Sequence, residues 1–249
     1  MDDGWFVGRD DDTGGLGDYE PDTKKLPEGV AGLARDIKKL GLGFGIWVEP
    51  EAVSPKSRLY AAHPDWAITE PGREPVYGRN ELLLDLTRGE VRDYIVDSVT
   101  RLLDSAEISY VKWDMNRQMA GVGGAYSHRY ILGLYEVLHR VFDARPDILF
   151  ESCSSGGNRF DLGMLCFSPQ IWASDDTDPI ERLDIQRGLS YLYPLSTMGA
   201  HVSASPHAQT LRCTPLGTRF AVSCFGCLGY ELDLRELSPA ELKEGPGGR

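Results

Sequence analysis

Six short apolar, β-rich runs, each closing on polar or charged residues, constrain this chain more than any other feature. They are GFGIWVEPE (43–51), SYVKWDMN (109–116), ILFESCSSGG (148–157), QIWASDDTD (170–178), MGAHVS (198–203) and LGYELDL (228–234). Near-continuous apolar runs indicate strands covered on both faces, as in parallel sheets. Segments of helical period alternate with them. In VAGLARDIKKL, Val30, Leu33, Ile37 and Leu40 share a face, with Pro27 before the start and Gly41 after the end. In EVRDYIVDSVTRLL the stripe is Val91, Tyr94, Ile95, Val99, Leu102 and Leu103. In RYILGLYEVLHRVF it is Ile131, Leu134, Tyr135, Leu138, Val141 and Phe142, and IERLDIQRGLSYLY is a looser fourth candidate. Such alternation predicts βα units and a parallel α/β sheet. Polar groups at the ends of many strands fit a TIM-type (β/α)8 barrel, where the chemistry is spread over strand ends. A doubly wound sheet would concentrate its signature in one glycine-rich turn. The nearest such turn, SSGGNRF, lacks the spacing, and no phosphate-loop lysine motif occurs.

Charge narrows the functional classes. Across 249 residues the formal net charge is −12, which repels phosphate backbones and anionic membranes, so neither nucleic acid nor membrane is expected as a partner. No apolar run approaches the roughly 20 residues that span a bilayer. No basic-then-apolar segment opens the sequence. The five cysteines, Cys153, Cys166, Cys213, Cys224 and Cys227, are odd in number, and CFGC (224–227) has no second pair to make a zinc site. Reduced, mostly packed thiols in a cytoplasmic protein are expected.

The most informative run is YVKWDMNR. Period-two alternation puts Lys112, Asp114 and Asn116 on one face. If that face is the barrel interior near its mouth, three polar groups converge on one point, which a core would not tolerate without a ligand to satisfy them. A cation beside Asp114 keeps that carboxylate ionised. WASDDTD supplies a second acid, Asp175 or Asp176. Two carboxylates in opposite protonation states facing one bond are what glycoside hydrolysis requires. Trp5, Trp47, Trp113 and Trp172, in or beside strand-end segments, offer ring faces for a sugar, although tryptophan also fills cores. The other strand-end acids, Glu49, Glu51, Glu151 and Asp233, have helix capping or ion pairing as their ordinary use, and Asp178 and Glu181 read as helix-start acids. Metal binding is the rival use of clustered acids, but Lys112 within the Asp114 group argues against a cation there. The histidines form no HxH or HExxH pattern, and His201 is read as structural.

MDDGWF, GIWVEPE, SPKSRLYAAHPDW, GRNELLLDLT, YVKWDMNR, SHRYILGLYEVL, FESCSSGG, IWASDDTD and YPLSTMGAHVSASP, taken together, resemble the bacterial α-galactosidases of glycoside hydrolase family 36, from residue 2 to about residue 240. The resemblance implies a retaining α-galactosidase with a catalytic barrel over 1–240 and a flexible tail over 241–249. Asp114 would be the nucleophile and Asp175 the acid/base; Asp176 stands where relatives often carry asparagine. Asp2 and Asp3 would hold galactose hydroxyls. Arg79, Lys112, Asn116 and Cys153 match sugar-contacting positions, Trp47 would line the pocket, and Trp113 joins this set as an aromatic at the same strand end. The expected substrates are α-galactoside oligosaccharides of the melibiose or raffinose type, with α-N-acetylgalactosaminidase as a sister specificity. No metal or organic cofactor is expected, and a homo-oligomer is compatible with the pattern. Family members are considerably longer, and their DDG motif closes the second barrel strand. An incomplete barrel lacking its first strands is therefore expected, with Asp2 and Asp3 prone to fray and at most weak sugar binding as the alternative outcome.

Overall fold

In a computed structural model of the chain, which describes residues 1–70, 72–120 and 122–244, all six β-rich runs contain a strand and all four periodic segments a helix. The chain divides into two units, Met1–Ser154 and Ser155–Arg249.

In the first unit, α1 (Gly29–Lys39) stops where Gly41 adopts φ +77, a left-handed conformation that glycine takes without a Cβ penalty. Val30 and Ala34 are buried, whereas Leu40 is 76% exposed because it lies past the last helical turn. Next come β1 (Gly45–Val48), β2 (Ala52–Val53), α2 (Arg58–Ala62), β3 (Leu82–Leu83), α3 (Gly89–Asp104), β4 (Tyr110–Trp113), α4 (Gly124–Phe142) and β5 (Leu149–Ser152). The short β2 and β3 pair antiparallel, Ala52 opposite Leu83. The apolar stripes predict the buried helix faces well: Val91, Ile95, Val99, Leu102 and Leu103 on α3, and Leu134, Leu138 and Val141 on α4. Full burial of one such side chain contributes about 1.5–3 kcal/mol, enough to outweigh the weak helix propensity of the β-branched residues. At Gly133 a Cβ would meet Leu86 O at 2.1 Å, so α4 can approach that backbone only through glycine.

β1, β4 and β5 lie side by side and parallel, with Val48 opposite Trp113 and Trp113 opposite Ser152. The ladder continues for one more residue, Asp114 N donating to Val48 O and Cys153 N to Trp113 O, both at 2.8 Å. This register brings Glu49, Asp114 and Cys153, the first residues past each strand, to the same end of the sheet.

In the second unit, β6 (Gln170–Trp172), β7 (Met198–Ser203) and β8 (Cys227–Glu231) are likewise parallel, with Trp172 opposite Gly199 and Gly199 opposite Cys227. The helices are α5 (Leu162–Leu165), α6 (Pro179–Ser190), α7 (Leu216–Ser223) and α8 (Pro239–Glu244). The loose pattern of α6 has a cause: its buried residues are Pro179, Arg182 and Gln186, and the two polar side chains bond backbone carbonyls. α7 gave no periodic signal for the same reason, since Arg219 and Ser223 lie on its buried face. The tail expected over 241–249 begins inside α8, and residues 245–249 lie outside the described residues.

Candidate active site

Asp114 is 6% exposed, and three donors fix its carboxylate. Oδ2 accepts from Trp47 Nε1 at 3.2 Å and from Asn116 Nδ2 at 3.0 Å, and Oδ1 accepts from Met115 N at 2.8 Å. The shared face of Asp114 and Asn116 expected from strand periodicity is therefore present. Lys112 Nζ lies 3.6 Å from Asp2 Oδ2. Burial works against the Lys112 charge, but Asp2, Cys153, Glu151 and Asp114 outweigh it and hold the ammonium above its ordinary range. Thus Lys112 serves several anions, with Asp2 the leading one, rather than Asp114 alone.

The DDG segment is anchored rather than frayed. Met1 N donates to Gly45 O at 2.7 Å, and Trp47 N donates to Met1 O at 3.0 Å. Arg9, 4% exposed, grips Asp3: Nε donates to Oδ1 and Oδ2 at 3.0 Å, Nη2 to Oδ2 at 2.8 Å, and Nη1 to Gly14 O at 3.1 Å. Arg79 stays apart from this hydrogen-bonded group, exposed on a turn where its own φ is +49. Cys153 is buried at the end of β5.

Trp113 requires a correction. It is 0% exposed, packed edge-on against Phe142 and Phe150, and its Nε1 donates to Glu51 Oε1 at 2.9 Å. It has no face left for a sugar. The alternation that puts Lys112 and Asp114 on one side of β4 puts Trp113 on the other. Glu51 accepts at Oε2 from the buried Tyr130 hydroxyl at 2.8 Å, so this strand-end acid belongs to the core. Trp5 is likewise core, 2% exposed, with Nε1 donating to Trp47 O.

In the second unit, Asp175 is exposed, and its Oδ1 accepts from Trp172 Nε1 at 2.9 Å. Asp176 is tied into its own loop, Oδ1 accepting from Asp178 N at 3.0 Å. Asp175 thus keeps an oxygen open to solvent, whereas Asp176 supports the turn. Asp178 caps α6 by accepting from Ile180 N at 2.8 Å, and Glu181 lies in the first turn, as expected. Two residues without a signal in the sequence hold this loop. Arg182 donates to Asp176 O at 2.8 Å, Gly199 O at 3.0 Å and Ser174 O at 2.6 Å, with its guanidinium 4.6 Å from the Trp172 ring centroid. His207, 5% exposed, meets Thr177 Oγ1 through Nε2 at 3.0 Å. His201 packs against Trp172 with the rings tilted at 41° and their centroids 4.4 Å apart, and its Nδ1 lies 3.4 Å from Glu231, in keeping with a structural role.

Residues 1–245 match the family described as Melibiase. The chain belongs to the melibiase family. Among curated relatives it is 51% identical over 250 residues to α-galactosidase AgaA of Geobacillus stearothermophilus, an alignment that covers 97% of this chain and 34% of the relative. It is 50% identical over 251 residues to α-galactosidase Mel36A of Lactobacillus acidophilus, again covering 97% of this chain and 34% of the relative. The crystal structure of the AgaA enzyme, a family 36 glycoside hydrolase, superposes with a TM-score of 0.95 over 98% of this chain and 35% of the other. A variant of that enzyme in complex with raffinose gives 0.96 at 50% identity, over 98% of this chain and 35% of the other. This melibiase-family chain thus spans about a third of the length of the relatives it matches. Its fold is α/β and corresponds to part of the TIM-type catalytic barrel.

Placing Trp113 in the core of a melibiase-family unit has a measurable consequence. Trp113→Ala should destabilise the chain by about 3–5 kcal/mol, since a fully buried ring is removed and Glu51 loses a donor. Urea unfolding measures this; a loss below about 1 kcal/mol would mean that the ring carries little of the packing.

Proposed function

We propose that this chain carries the catalytic carboxylates of a retaining glycoside hydrolase that releases terminal α-galactosyl residues. The observation that carries this reading is the Asp114 carboxylate, buried at the end of β4 and held by Trp47, Asn116 and the Met115 amide. A carboxylate so fixed is oriented for attack without spending conformational freedom at the moment of reaction. Asp114 attacks the anomeric carbon, forming a glycosyl ester as the bond to the leaving oxygen breaks. Asp175 gives its proton to that oxygen. It then takes a proton from water, which attacks the ester, restores Asp114 and leaves galactose with its α configuration. The indole N–H on Asp175 Oδ1 leaves Oδ2 for the proton that is transferred.

The Arg9-clamped Asp3 and the Lys112-paired Asp2 supply acceptors for sugar hydroxyls. Trp47 contributes an indole at the base of the site. Relatives bound to raffinose and to stachyose support oligosaccharides ending in α-linked galactose as the substrate class. The odd number of thiols fits a reducing compartment, the cytoplasm. A second reading, sugar binding with little turnover by these 249 residues alone, is favoured by the chain's covering only 34% of the related enzyme.

Proton NMR of an aryl α-galactoside digest tests the assignment. Galactose should appear first as the α anomer, before mutarotation. First release of the β anomer would replace the double displacement by an inverting mechanism. Saturable galactose binding without product would select the second reading.

A further inference from the structure

Glu49 is 0% exposed and Glu81 is 1% exposed, and their carboxyls lie within hydrogen-bond reach of each other. Two ionised carboxylates have no hydrogen to put between them; a neutral carboxyl does. Glu81 Oε1 is buried and accepts from no N–H or hydroxyl among the described residues. Leaving it so would carry the desolvation cost of a buried acceptor, about 1–3 kcal/mol, more for a charged one. Both oxygens of Glu49 already accept from Asn116. Asn116 N donates to Oε1, and Asn116 Nδ2 donates to Oε2 at 2.9 Å. The same Nδ2 reaches Asp114 Oδ2 at 3.0 Å, so the two hydrogens of one amide serve the two carboxyls.

We propose that Glu49 and Glu81 share a single proton, and that this pair is a positioning device which holds Asn116 and, through it, the carboxylate of Asp114. The catalytic consequence rests on Asp114 being the nucleophile. With the proton in place, Glu49 is neutral, and Glu81 carries the single negative charge. Asn116 then presents one hydrogen to Asp114 without a second full charge competing for its amide. When the proton leaves, Glu49, Glu81 and Asp114 become three adjacent carboxylates, and Glu49 draws the Asn116 amide toward itself.

Every charged or titratable group facing the pair enters the balance: Asp114 beyond Asn116, the guanidiniums of Arg9, Arg79 and Arg117, and the buried Tyr19 phenol. Burial is the largest influence on Glu49, followed by Glu81 and Asp114, and together they push it well above the usual carboxylate range against the Asn116 bonds. Burial also dominates at Glu81 and carries it up to about 7, although Arg79 and Arg9 pull it down. The direction is the same at both sites, toward holding a proton near neutrality. Among the described residues these acids do not form a metal-binding group.

Carboxyl 13C NMR of the 249-residue chain, with Glu and Asp labelled, tests the proposal without requiring turnover. Glu49→Gln and Glu81→Gln assign the two resonances by their disappearance. In the unsubstituted chain one carboxyl of the pair should remain protonated well above the ordinary glutamate value of about 4.3, and the Asp114 resonance should move in the same step. In Glu81→Gln, which keeps an acceptor toward Glu49 but cannot ionise, the step should fall by at least about one pH unit, because a neighbouring like charge is gone. Titration of both glutamates in the ordinary range would overturn the shared proton. An Asp114 resonance that ignores the step would overturn the positioning role. Where an aryl α-galactoside is hydrolysed, the alkaline limb of kcat/KM should shift with the same step in Glu81→Gln; an unmoved limb would also overturn the positioning role. Absence of turnover alongside the expected titration selects the reading of sugar binding with little turnover and leaves the shared proton standing.

Discussion

Asp114→Asn is expected to abolish hydrolysis of an aryl α-galactoside in any form of this protein that shows turnover, leaving less than about one percent of the original rate. An amide is nearly isosteric with a carboxylate, but it cannot form the glycosyl ester. The surroundings add a structural cost. Oδ2 accepts from Trp47 and Asn116 and Oδ1 from Met115 N, so all of the nearby groups are donors. Whichever way the asparagine turns, its NH2 faces an N–H. A stability loss of about 1–2 kcal/mol should therefore accompany the loss of activity, the size of one to two broken hydrogen bonds. Steady-state kinetics and thermal unfolding measure the two separately. Residual turnover well above one percent in a folded variant would remove the nucleophilic role.

Asp175→Ala should divide substrates by leaving group. Those with poor leaving groups need protonation of the departing oxygen and should lose about 100- to 10,000-fold, the usual span of general acid catalysis. Activated aryl substrates should lose far less in the first step and stall at the glycosyl ester, where azide can attack without a general base. A burst followed by azide-accelerated turnover is the expected signature. Equal losses for both substrate types, with no azide effect, would move the role elsewhere. Asp176 is a poor successor, because its Oδ1 already accepts from Asp178 N within the loop. The stability change should be small, since Asp175 is exposed and contributes a single bond to Trp172.

The strands and main helices were legible because burial imposes a period on the sequence. β4 ends at Trp113 with Asp114 next, as YVKWDMN suggests, and α3 and α4 bury the stripes that their spacing marks. The same rule held the information that Trp113 faces away from Lys112. Its aromatic character drew it into the sugar-contact set, against what alternation alone would say. The four tryptophans near strand ends divide evenly. Trp47 and Trp172 each give an indole N–H to one of the two proposed catalytic aspartates, while Trp5 and Trp113 are core.

Glu49 and Glu51 show most directly where sequence stops. Both are acids just past β1, and both are 0% exposed. Nothing local separates them, since their partners come from elsewhere in the chain. Asn116 reaches Glu49, whereas Trp113 and Tyr130 reach Glu51. By itself the sequence determined the βα alternation, the strand ends that carry acids and the common face of Lys112, Asp114 and Asn116, because periodicity and chirality act between near neighbours. Only the tertiary structure decided which acid is satisfied by the core and which joins Asp114 through Asn116, that Arg9 clamps Asp3, and that Arg182 shapes the Asp175 loop. A carboxyl's protonation and role depend on the donors and charges within a few ångströms, and those are set by packing between segments far apart in sequence.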